Sequence, residues 1–362
     1  MKLTKSLLHL RHSGRIIYWA YKAKYKNEII HRLVRRREMG SFTNYIIRRL
    51  LFMIPVLLGI TMIIYFVGSL AGNPKDIIRL SFRVITPQQM AYLEHYFHLD
   101  QPIYIRYFYY LWDLIHGNLG ISLTSGRPVI DEIGPWVWTS MYLQLSALAL
   151  SVLIGIPVGI YSAKRQYSKS DYAVTGIAIF GYSMPTFWLA TMMIILFSFR
   201  LGWLPAFGAS GGYLGYWWGN WFMDRIAHLI IPMSVLAYVE VATFVRLIRG
   251  SMLEILRQDY ILAGYASGLK ERTIIWKHAL KNAITPVLTI IGLSIATALA
   301  SAPALETATT WPGLGYYFVQ AAQSLDLITV EGITVIITVL VLITSMILDF
   351  LYGYLDPRVR IT

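Results

Sequence analysis

Six long apolar stretches limit what this chain can fold into. Each is about 20 residues or longer, the length that a helix needs to cross the ~30 Å hydrocarbon layer of a membrane. They are Leu50–Leu70, Tyr142–Ala163, Tyr172–Phe199, Ile226–Leu247, Ala283–Ala304 and Gly332–Leu351. Because the bilayer core offers no water to an unpaired backbone group, each stretch is predicted to be helical. The sequence therefore predicts an all-α polytopic membrane protein with six transmembrane helices.

The composition agrees with this prediction. The chain is 56% hydrophobic and 14% charged, whereas soluble domains carry about 25% charged residues. The high apolar content also excludes intrinsic disorder. With no cysteine, the chain cannot contain a disulfide scaffold, a thiolate metal site or a cysteine nucleophile.

The basic residues set the orientation, because cytoplasmic loops of membrane proteins are rich in Lys and Arg. Of the 32 Lys and Arg residues, 25 lie on one predicted side and seven on the other. The basic side comprises residues 1–49, 164–171, 246–282 and 352–362; the other side comprises 71–141, 200–225 and 305–331. We expect a multi-pass protein of the cell (inner, cytoplasmic) membrane with both termini in the cytoplasm.

The chain divides into a basic cytoplasmic extension, residues 1–44, and a membrane domain, residues 45–362. In the extension, aromatic and aliphatic residues alternate with Lys and Arg, a pattern typical of segments that lie on an anionic lipid surface. Docking onto a cytoplasmic partner is the alternative. Charge alone does not support binding to nucleic acid.

The loops predicted to face outward carry local signals. Thr86 followed by Pro87 and Gln89 predicts a capping box at the start of a helix. A second helix is predicted over Ile103–Ile115, ending at Gly117. The aromatic stretch Tyr213–Phe222 suits an interfacial aromatic belt, or a surface that stacks on sugars or receives a partner protein.

The cytoplasmic loop before the fifth stretch is the most informative segment. Asp259 is a good N-cap for a short helix over Tyr260–Ser267, which Gly268 would close in a left-handed conformation. A second helix, Glu271–Asn282, would run on into the fifth span. The small residues that would let a partner approach the backbone, and the larger ones that would anchor it, are Ala263, Gly264, Ala266 and Gly268, with Tyr265 and Leu269. A surface connector without a partner is the alternative.

Several blocks of this sequence resemble, in order, the ATP-binding-cassette (ABC) importer permeases, and more specifically their dipeptide/oligopeptide/nickel subfamily. The strongest block runs from Asp259 to Leu269 and continues at His278–Ala283. The others are Tyr45–Leu51 with Pro55, Leu99–Pro102, Gly117–Ser122, Gly126–Val129, Gly155–Gly159, Ser183–Trp188, Leu201–Pro205, Glu306, Trp311–Gly315 and Leu355–Arg358. The resemblance covers about residues 45–360.

The resemblance implies a type I importer fold and a permease subunit that works with other proteins. These would be a second homologous permease, two cytoplasmic ATPases and an extracellular substrate-binding protein. Residues 251–282 would be the coupling loop, with Asp259, Tyr260, Ala263, Gly264, Tyr265, Ala266, Gly268 and Leu269 gripped by the ATPases. The chain lacks a Gly-x-x-x-x-Gly-Lys-Ser/Thr motif. We therefore expect no catalytic residue and no cofactor in this chain, and ATP with Mg²⁺ in the partner ATPases.

Residues for a translocation pathway are also suggested. Pro185 can kink the third span, and with Ser183 and Trp188 it forms a candidate gate, although a plain structural kink is the alternative. Glu240 is an acid within an apolar stretch, which suits a role in the pathway or at a subunit interface. A local bond to a neighbouring helix, or an orientation toward Arg246, is the alternative. Trp311, Pro312 and Gly313 could form an outer cap or dock the binding protein, or form a plain turn.

Metal binding is not predicted, because the helically spaced pair His95 and His98 lacks a third ligand in the sequence. The expected function is half of an alternating-access pathway for peptides or oligosaccharides, with nickel as a further possible substrate. An ion-gradient-driven secondary transporter is the alternative, although such proteins generally need ionisable residues near the bilayer midplane.

Overall fold

The structure is a computed structural model, and it describes residues 46–70, 86–211, 220–298 and 302–355. The chain divides into two compact units: residues 57–348, and a smaller unit of the two chain ends, 1–56 and 349–362. The basic extension 1–44 and most of the aromatic stretch Tyr213–Phe222 lie outside the described residues, as do residues 356–362. The expectations for those segments therefore stay predictions.

The described residues are mostly helical and contain no β-strand; one isolated bridge pairs Ile121 with Pro128. The helices are α1 (Ile46–Leu70), α2 (Pro87–Tyr96), α3 (Ile103–Ile115), α4 (Val129–Lys164), α5 (Lys169–Ser183), α6 (Thr186–Arg200), α7 (Trp221–Ile255), α8 (Asp259–Ala266), α9 (Glu271–Ala283), α10 (Thr285–Ala298), α11 (Pro303–Ala308), α12 (Leu314–Gln323) and α13 (Leu327–Leu355). Two segments are π-helical: Ile194–Arg200 within α6 and Ile274–Ala279 within α9.

Four helices, α1, α4, α7 and α13, are each long and apolar enough to cross a membrane. The pairs α5–α6 and α9–α10, with bends of 103° and 54°, can each be one bent span, so the described residues contain four to six candidate spans. The predicted span Tyr172–Phe199 is therefore broken beside Pro185, the position that the sequence indicates can kink it. Met184 is extended, with φ −90° and ψ 135°, because the ring of Pro185 disfavours the helical conformation of the residue before it.

Local signals explain where several helices begin. Thr86 and Gln89 form the predicted capping box: the Thr86 backbone N–H donates to Gln89 Oε1 at 3.0 Å, and the Gln89 N–H donates to Thr86 Oγ1 at 3.2 Å. Helix α3 spans the predicted Ile103–Ile115, and Gly117 follows it at φ 78°. Asn220 caps α7 by accepting the Met223 N–H at 2.9 Å.

Helices α4 and α7 form the closest-packed pair in the larger unit. A Cβ atom at Gly155 would lie 2.6 Å from Phe244 Cβ, and one at Gly159 would lie 2.8 Å from Ile248 Cβ. Such contacts leave no room for a side chain, so the two glycines allow the helices to approach closely. Both helices extend beyond the apolar stretches predicted for them, to lengths of 36 and 35 residues.

Two clusters of buried side chains flank this pair and position the functional segments. One contains Ile248 and Met252 of α7 with residues of α8, α9 and α10. The other is built around the fully buried Trp311 and Leu143. The first cluster packs α8 and α9 against α7. The second packs the segment before α12 against α4.

Candidate functional site

The predicted coupling loop folds as a short helix, a sharp turn and a second helix, as the sequence predicts. Helix α8 begins at Asp259, so Gln258 and not Asp259 occupies the N-cap position, one residue earlier than predicted. Gly268 has φ 77°, the left-handed conformation that was predicted for it. The Gly268 N–H donates to Tyr265 O at 3.0 Å and the Leu269 N–H donates to Gly264 O at 3.2 Å, which satisfies the last carbonyls of the helix.

The buried side of α8 is anchored to the membrane domain. Ile261 is fully buried in the cluster that includes Ile248, Met252 and Ile274. Gly264 faces the same way, because a Cβ atom there would lie 3.7 Å from Leu269 and 3.8 Å from Ile274. Gly264 therefore packs within the loop itself and is less available to a partner than its small size suggests.

Two polar contacts also anchor the loop. Asn282 Nδ2 donates to the Tyr260 hydroxyl at 2.8 Å and so joins α9 to α8. Lys164, at the end of α4, forms a 3.0 Å ion pair with Glu271 at the start of α9. These contacts attach α8 to α7 and α9, and they attach the start of α9 to the end of α4.

The exposed surface of α8, together with Leu269 after the turn, carries large apolar residues, and we call it the loop face. Leu262 is 56% exposed, Tyr265 44% and Leu269 43%. The other predicted coupling residues that are exposed here are Asp259, Tyr260, Ala263, Ala266 and Gly268. An exposed patch of large apolar residues beside small ones is typical of a surface that contacts another protein.

The second helix of the loop does not run straight into the fifth span. After Ala283 the chain bends by 54° at Ile284 before α10 begins. Pro286, near the start of α10, lacks an N–H, and its ring would clash with the carbonyl of Asn282 in a continuous helix. The prediction of a rigid connection over Glu271–Asn282 into this span is corrected to a connection that turns at Ile284.

The candidate gate residues of the third span lie at its break. Ser183 ends α5, and its hydroxyl donates to Ile179 O at 2.9 Å. Pro185 precedes α6, and Trp188 lies in the first turn of α6 with its side chain exposed. The break gives the third span two separate arms, so these residues mark the place where the arms could move relative to each other.

Glu240 is half-buried and bonds to a neighbouring helix. Ser151 Oγ of α4 donates to Glu240 Oε2 of α7 at 2.9 Å. This contact is the local bond that the sequence left open as the alternative to a pathway role. The pathway role stays a prediction.

The segment before α12 is buried. Trp311 is fully buried, and its Nε1 donates to Thr139 O at 3.3 Å; Pro312 is half-buried and Gly313 is buried. In this conformation the Trp311 side chain cannot contact a binding protein. It anchors the segment to α4, and docking by the segment as a whole stays a prediction.

A buried carboxylate holds this segment in place, a role that the sequence did not reveal. Ser140 Oγ of α4 donates to Glu306 Oε1 at 2.7 Å. The backbone N–H groups of Gly315 and Tyr316 donate to Glu306 Oε2 at 2.8 and 3.1 Å. The carboxylate thus satisfies the first N–H groups of α12, where a negative group is favoured by the helix dipole.

Gly313 makes this arrangement possible. A Cβ atom at Gly313 would lie 2.5 Å from the Glu306 carboxylate and from Ser140 Oγ. Burial raises the pKa of Glu306, and the hydrogen bonds from Ser140 and from the backbone N–H groups of Tyr316 and Gly315 lower it by less. The sequence around Glu306 gives no sign of its three hydrogen bonds, because they form only where the fold brings α4 beside α12.

Among the described residues, no group of three or more His, Asp or Glu side chains could hold a metal ion. His95 and His98 have ring centroids 6.4 Å apart, and His98 stacks on Tyr109 at 4.1 Å. The pair therefore takes part in aromatic packing on the outer helices.

Comparison with known proteins agrees with the resemblance of the sequence blocks. Residues 155–361 match the family described as "Binding-protein-dependent transport system inner membrane component". The dipeptide transport system permease of Escherichia coli strain K12 is 37% identical over 334 residues, covering 87% of this chain and 98% of that protein. The corresponding permease of Alkalihalophilus pseudofirmus is 39% identical over 334 residues, with 87% and 99% coverage.

A third relative is the oligopeptide transport system permease of Bacillus subtilis strain 168, 37% identical over 317 residues, covering 87% of this chain and 99% of that protein. These proteins are transport subunits and not enzymes, and the match favours them over the ion-gradient-driven alternative. The chain belongs to the binding-protein-dependent inner membrane components, the permease subunits of ABC importers.

Proposed function

We propose that this chain forms half of the translocation pathway of an ATP-driven importer for short peptides. The relatives named above are dipeptide and oligopeptide permeases, and each is covered almost over its whole length. Oligosaccharides and nickel, which the sequence left open, have no counterpart in these names. The assembly would contain a second homologous permease, two cytoplasmic ATPases and an extracellular substrate-binding protein.

The observation that carries the proposal is the loop face. Helix α8 exposes Leu262 and Tyr265 and buries Ile261, and Leu269 is exposed just after the helix. A surface that is apolar, exposed and rigidly attached to the core can receive a force from outside and pass it inward. ATP and Mg²⁺ would bind to the ATPases, and this chain would bind neither.

In this proposal the mechanism is alternating access. Closure of the ATPases on ATP would displace α8, and the contacts of Ile261, Tyr260 and Glu271 would carry the displacement to α7, α9 and α4. The bends at Ile284 and Pro185 would let parts of the fifth and third spans reorient. ATP can shift this equilibrium only by binding one state better than the other.

The orientation follows from the charge distribution. The basic side, with 25 of 32 Lys and Arg, would face the cytoplasm together with both termini. Under this orientation α8 lies on the cytoplasmic side, and α3 and Trp311 lie towards the outside. Introduced cysteines at both ends, labelled by an impermeant thiol reagent in intact cells, would test it, because the natural chain has none.

The test of coupling is a charge placed on the loop face. We expect Ala263→Glu to reduce ATP-dependent dipeptide uptake at least tenfold and to abolish substrate stimulation of the ATPases, because a carboxylate would be buried in the contact. Gln166→Glu, in the turn between α4 and α5, adds the same charge on the same side of the membrane and serves as the control. Normal uptake by Ala263→Glu would overturn the proposed role of the loop face.

A further inference from the structure

A cavity of about 160 Å³ lies apart from the coupling loop and the candidate gate. The end of α1, the turn after α2, helix α3, the chain around Gly120, and the start of α13 line it. Its polar lining residues include Tyr65, Tyr110, Arg106, Asp113 and Glu331. Nothing in the proposed transport mechanism uses these five side chains.

Close packing around the cavity fixes its shape. The rings of Tyr65 and Tyr110 lie 5.0 Å apart, which joins α1 to α3. Beside them, the hydroxyls of Thr61 and Tyr107 lie 3.1 Å apart. A Cβ atom at Gly68 would lie 2.9 Å from Glu331 Oε1, so the carboxylate lies directly against the backbone of α1.

The polar groups of this cavity lack partners within the described part of the chain. Arg106 Nε and the Tyr110 hydroxyl are buried there without a hydrogen bond. Neither Arg106 nor Glu331 forms an ion pair with another described residue. Each unsatisfied buried group costs about 1–3 kcal/mol, and more when it is charged. Burial, reinforced by the Glu331 carboxylate, raises the pKa of Tyr110, so its hydroxyl stays protonated and able to donate.

Arg106 and Glu331 specify the chemistry of an occupant, and Asp113 adds a second acid to the lining. The Glu331 carboxylate can accept hydrogen bonds from an ammonium group. The Arg106 guanidinium, with its unpaired Nε–H, and the Tyr110 hydroxyl can donate to an anion. A zwitterion with a short distance between its charges provides both. A simple anion or a simple cation would leave one of the two charges buried and unpaired.

The position of the cavity indicates where such a zwitterion comes from. Gly68 lies in the last turn of α1 and Glu331 in the second turn of α13, at the ends of two predicted spans. On the side of α3 away from the cavity, Tyr104, Phe108 and Trp112 are exposed. Exposed aromatic residues of this kind are typical of the membrane–water interface, where lipid headgroups lie.

We propose that this cavity binds the headgroup of a zwitterionic amine phospholipid, such as phosphatidylethanolamine, with its ammonium at Glu331 and its phosphate at Arg106. Basic pockets between spans hold the headgroups of anionic lipids, and acids in the lining suit a headgroup that also carries an ammonium. Under the orientation proposed above, the cavity faces the outer leaflet, and the lipid would come from that leaflet. The lipid site itself does not depend on the substrate or on the coupling role of α8.

The experiment is lipid binding to the delipidated full-length chain, purified with its co-expressed transporter subunits and followed by native mass spectrometry. We expect phosphatidylethanolamine to bind at least tenfold more tightly than phosphatidylglycerol, which has the phosphate but no ammonium. Glu331→Gln and Arg106→Gln should each lose at least tenfold in affinity. The controls Asp131→Asn and Arg127→Gln change exposed groups on the same outer side and should bind as the wild type does.

A second measurement works without variants. A phosphatidylethanolamine analogue with a photoreactive headgroup should label peptides that contain Tyr65–Ser69, Arg106–Asp113 or Leu327–Glu331. Equal binding of the two lipids, unchanged binding by Glu331→Gln, or labelling elsewhere would each overturn the proposal. Competition by a free dipeptide, with no binding of phosphatidylethanolamine, would likewise overturn the lipid assignment in favour of a soluble zwitterion. Because binding is measured without transport, its failure would leave the importer function untouched.

Discussion

Replacing Glu306 by alanine would release the outer segment from helix α4. The carboxylate accepts three hydrogen bonds, from Ser140 and from the backbone N–H groups of Gly315 and Tyr316. Glu306→Ala removes the acceptor and leaves these N–H groups at the start of α12 without a partner. Glu306→Gln keeps one carbonyl oxygen that can accept from the two N–H groups. Comparing Glu306→Ala with Glu306→Gln therefore isolates the effect of losing the acceptor.

The magnitude follows from the number of groups left unpaired. Each buried N–H without a partner costs roughly 1–3 kcal/mol, so the two together give about 2–6 kcal/mol, and we expect about 3 kcal/mol after partial hydration. One weakened bond in Glu306→Gln costs about 1 kcal/mol. At about 1.4 kcal/mol per factor of ten, 3 kcal/mol makes local opening of α12 more than 100-fold more frequent.

The chain contains no cysteine, so a single introduced thiol can report this opening. Ala321 of α12 is buried, and Cys at position 321 reacts with a thiol reagent only when α12 separates from its neighbours. We expect Glu306→Ala to raise the labelling rate of Ala321→Cys about 100-fold, and Glu306→Gln to raise it less than tenfold. A cysteine replacing the buried Ala279 in the cytoplasmic cluster is the control and should not change.

An unchanged labelling rate in Glu306→Ala would refute the reasoning, since it would mean that the three hydrogen bonds do not hold α12. The pH dependence gives an independent check. Burial raises the pKa of Glu306 above its ordinary value of 4.5. The folded state therefore binds this proton more tightly than the unfolded state, and stability falls as pH rises from about 4.5 through the raised pKa. Glu306→Gln should remove that slope after correction for thiol ionisation.

Three further substitutions test contacts of α7 and α4 and the turn after α8. Arg249 donates two hydrogen bonds of 2.7 Å to the buried Asp171. Arg249→Gln leaves that carboxylate buried and unpaired, so it should lower the free energy of unfolding in detergent by about 3–5 kcal/mol. Full retention of thermal stability would contradict this. Gly159→Val should cost about 1–3 kcal/mol by forcing α4 from α7, whereas Gly134→Val, with open space around it, should melt like the wild type. Gly268→Ala places a side chain at φ 77° and should cost about 1–2 kcal/mol in the turn after α8, weakening co-purification of the ATPases; undiminished co-purification would argue against the role of that turn.

Hydrophobicity and local turn chemistry were sufficient to predict much of this protein from sequence. The apolar runs predict six spans, because backbone groups inside a membrane have to be paired within a helix. The described residues contain four to six candidate spans. The capping box at Thr86, the helix Ile103–Ile115 and the left-handed Gly268 depend on neighbouring residues alone, and the structure confirms them. The family resemblance also rests on short contiguous blocks, and it holds over most of the chain.

Bend angles, contacts between distant residues and burial of side chains were learned only from the tertiary structure. The sequence indicates that Pro185 can bend a helix, but the bends of 103° and 54°, the second beside Pro286, are seen only in the tertiary structure. Glu306 meets Ser140 across 166 residues, and Arg106 lines one cavity with Glu331 although 225 positions separate them in the sequence. Burial of a side chain depends on what the whole chain places around it, so Trp311 could be identified from its sequence block, while its complete burial could be learned only from the fold.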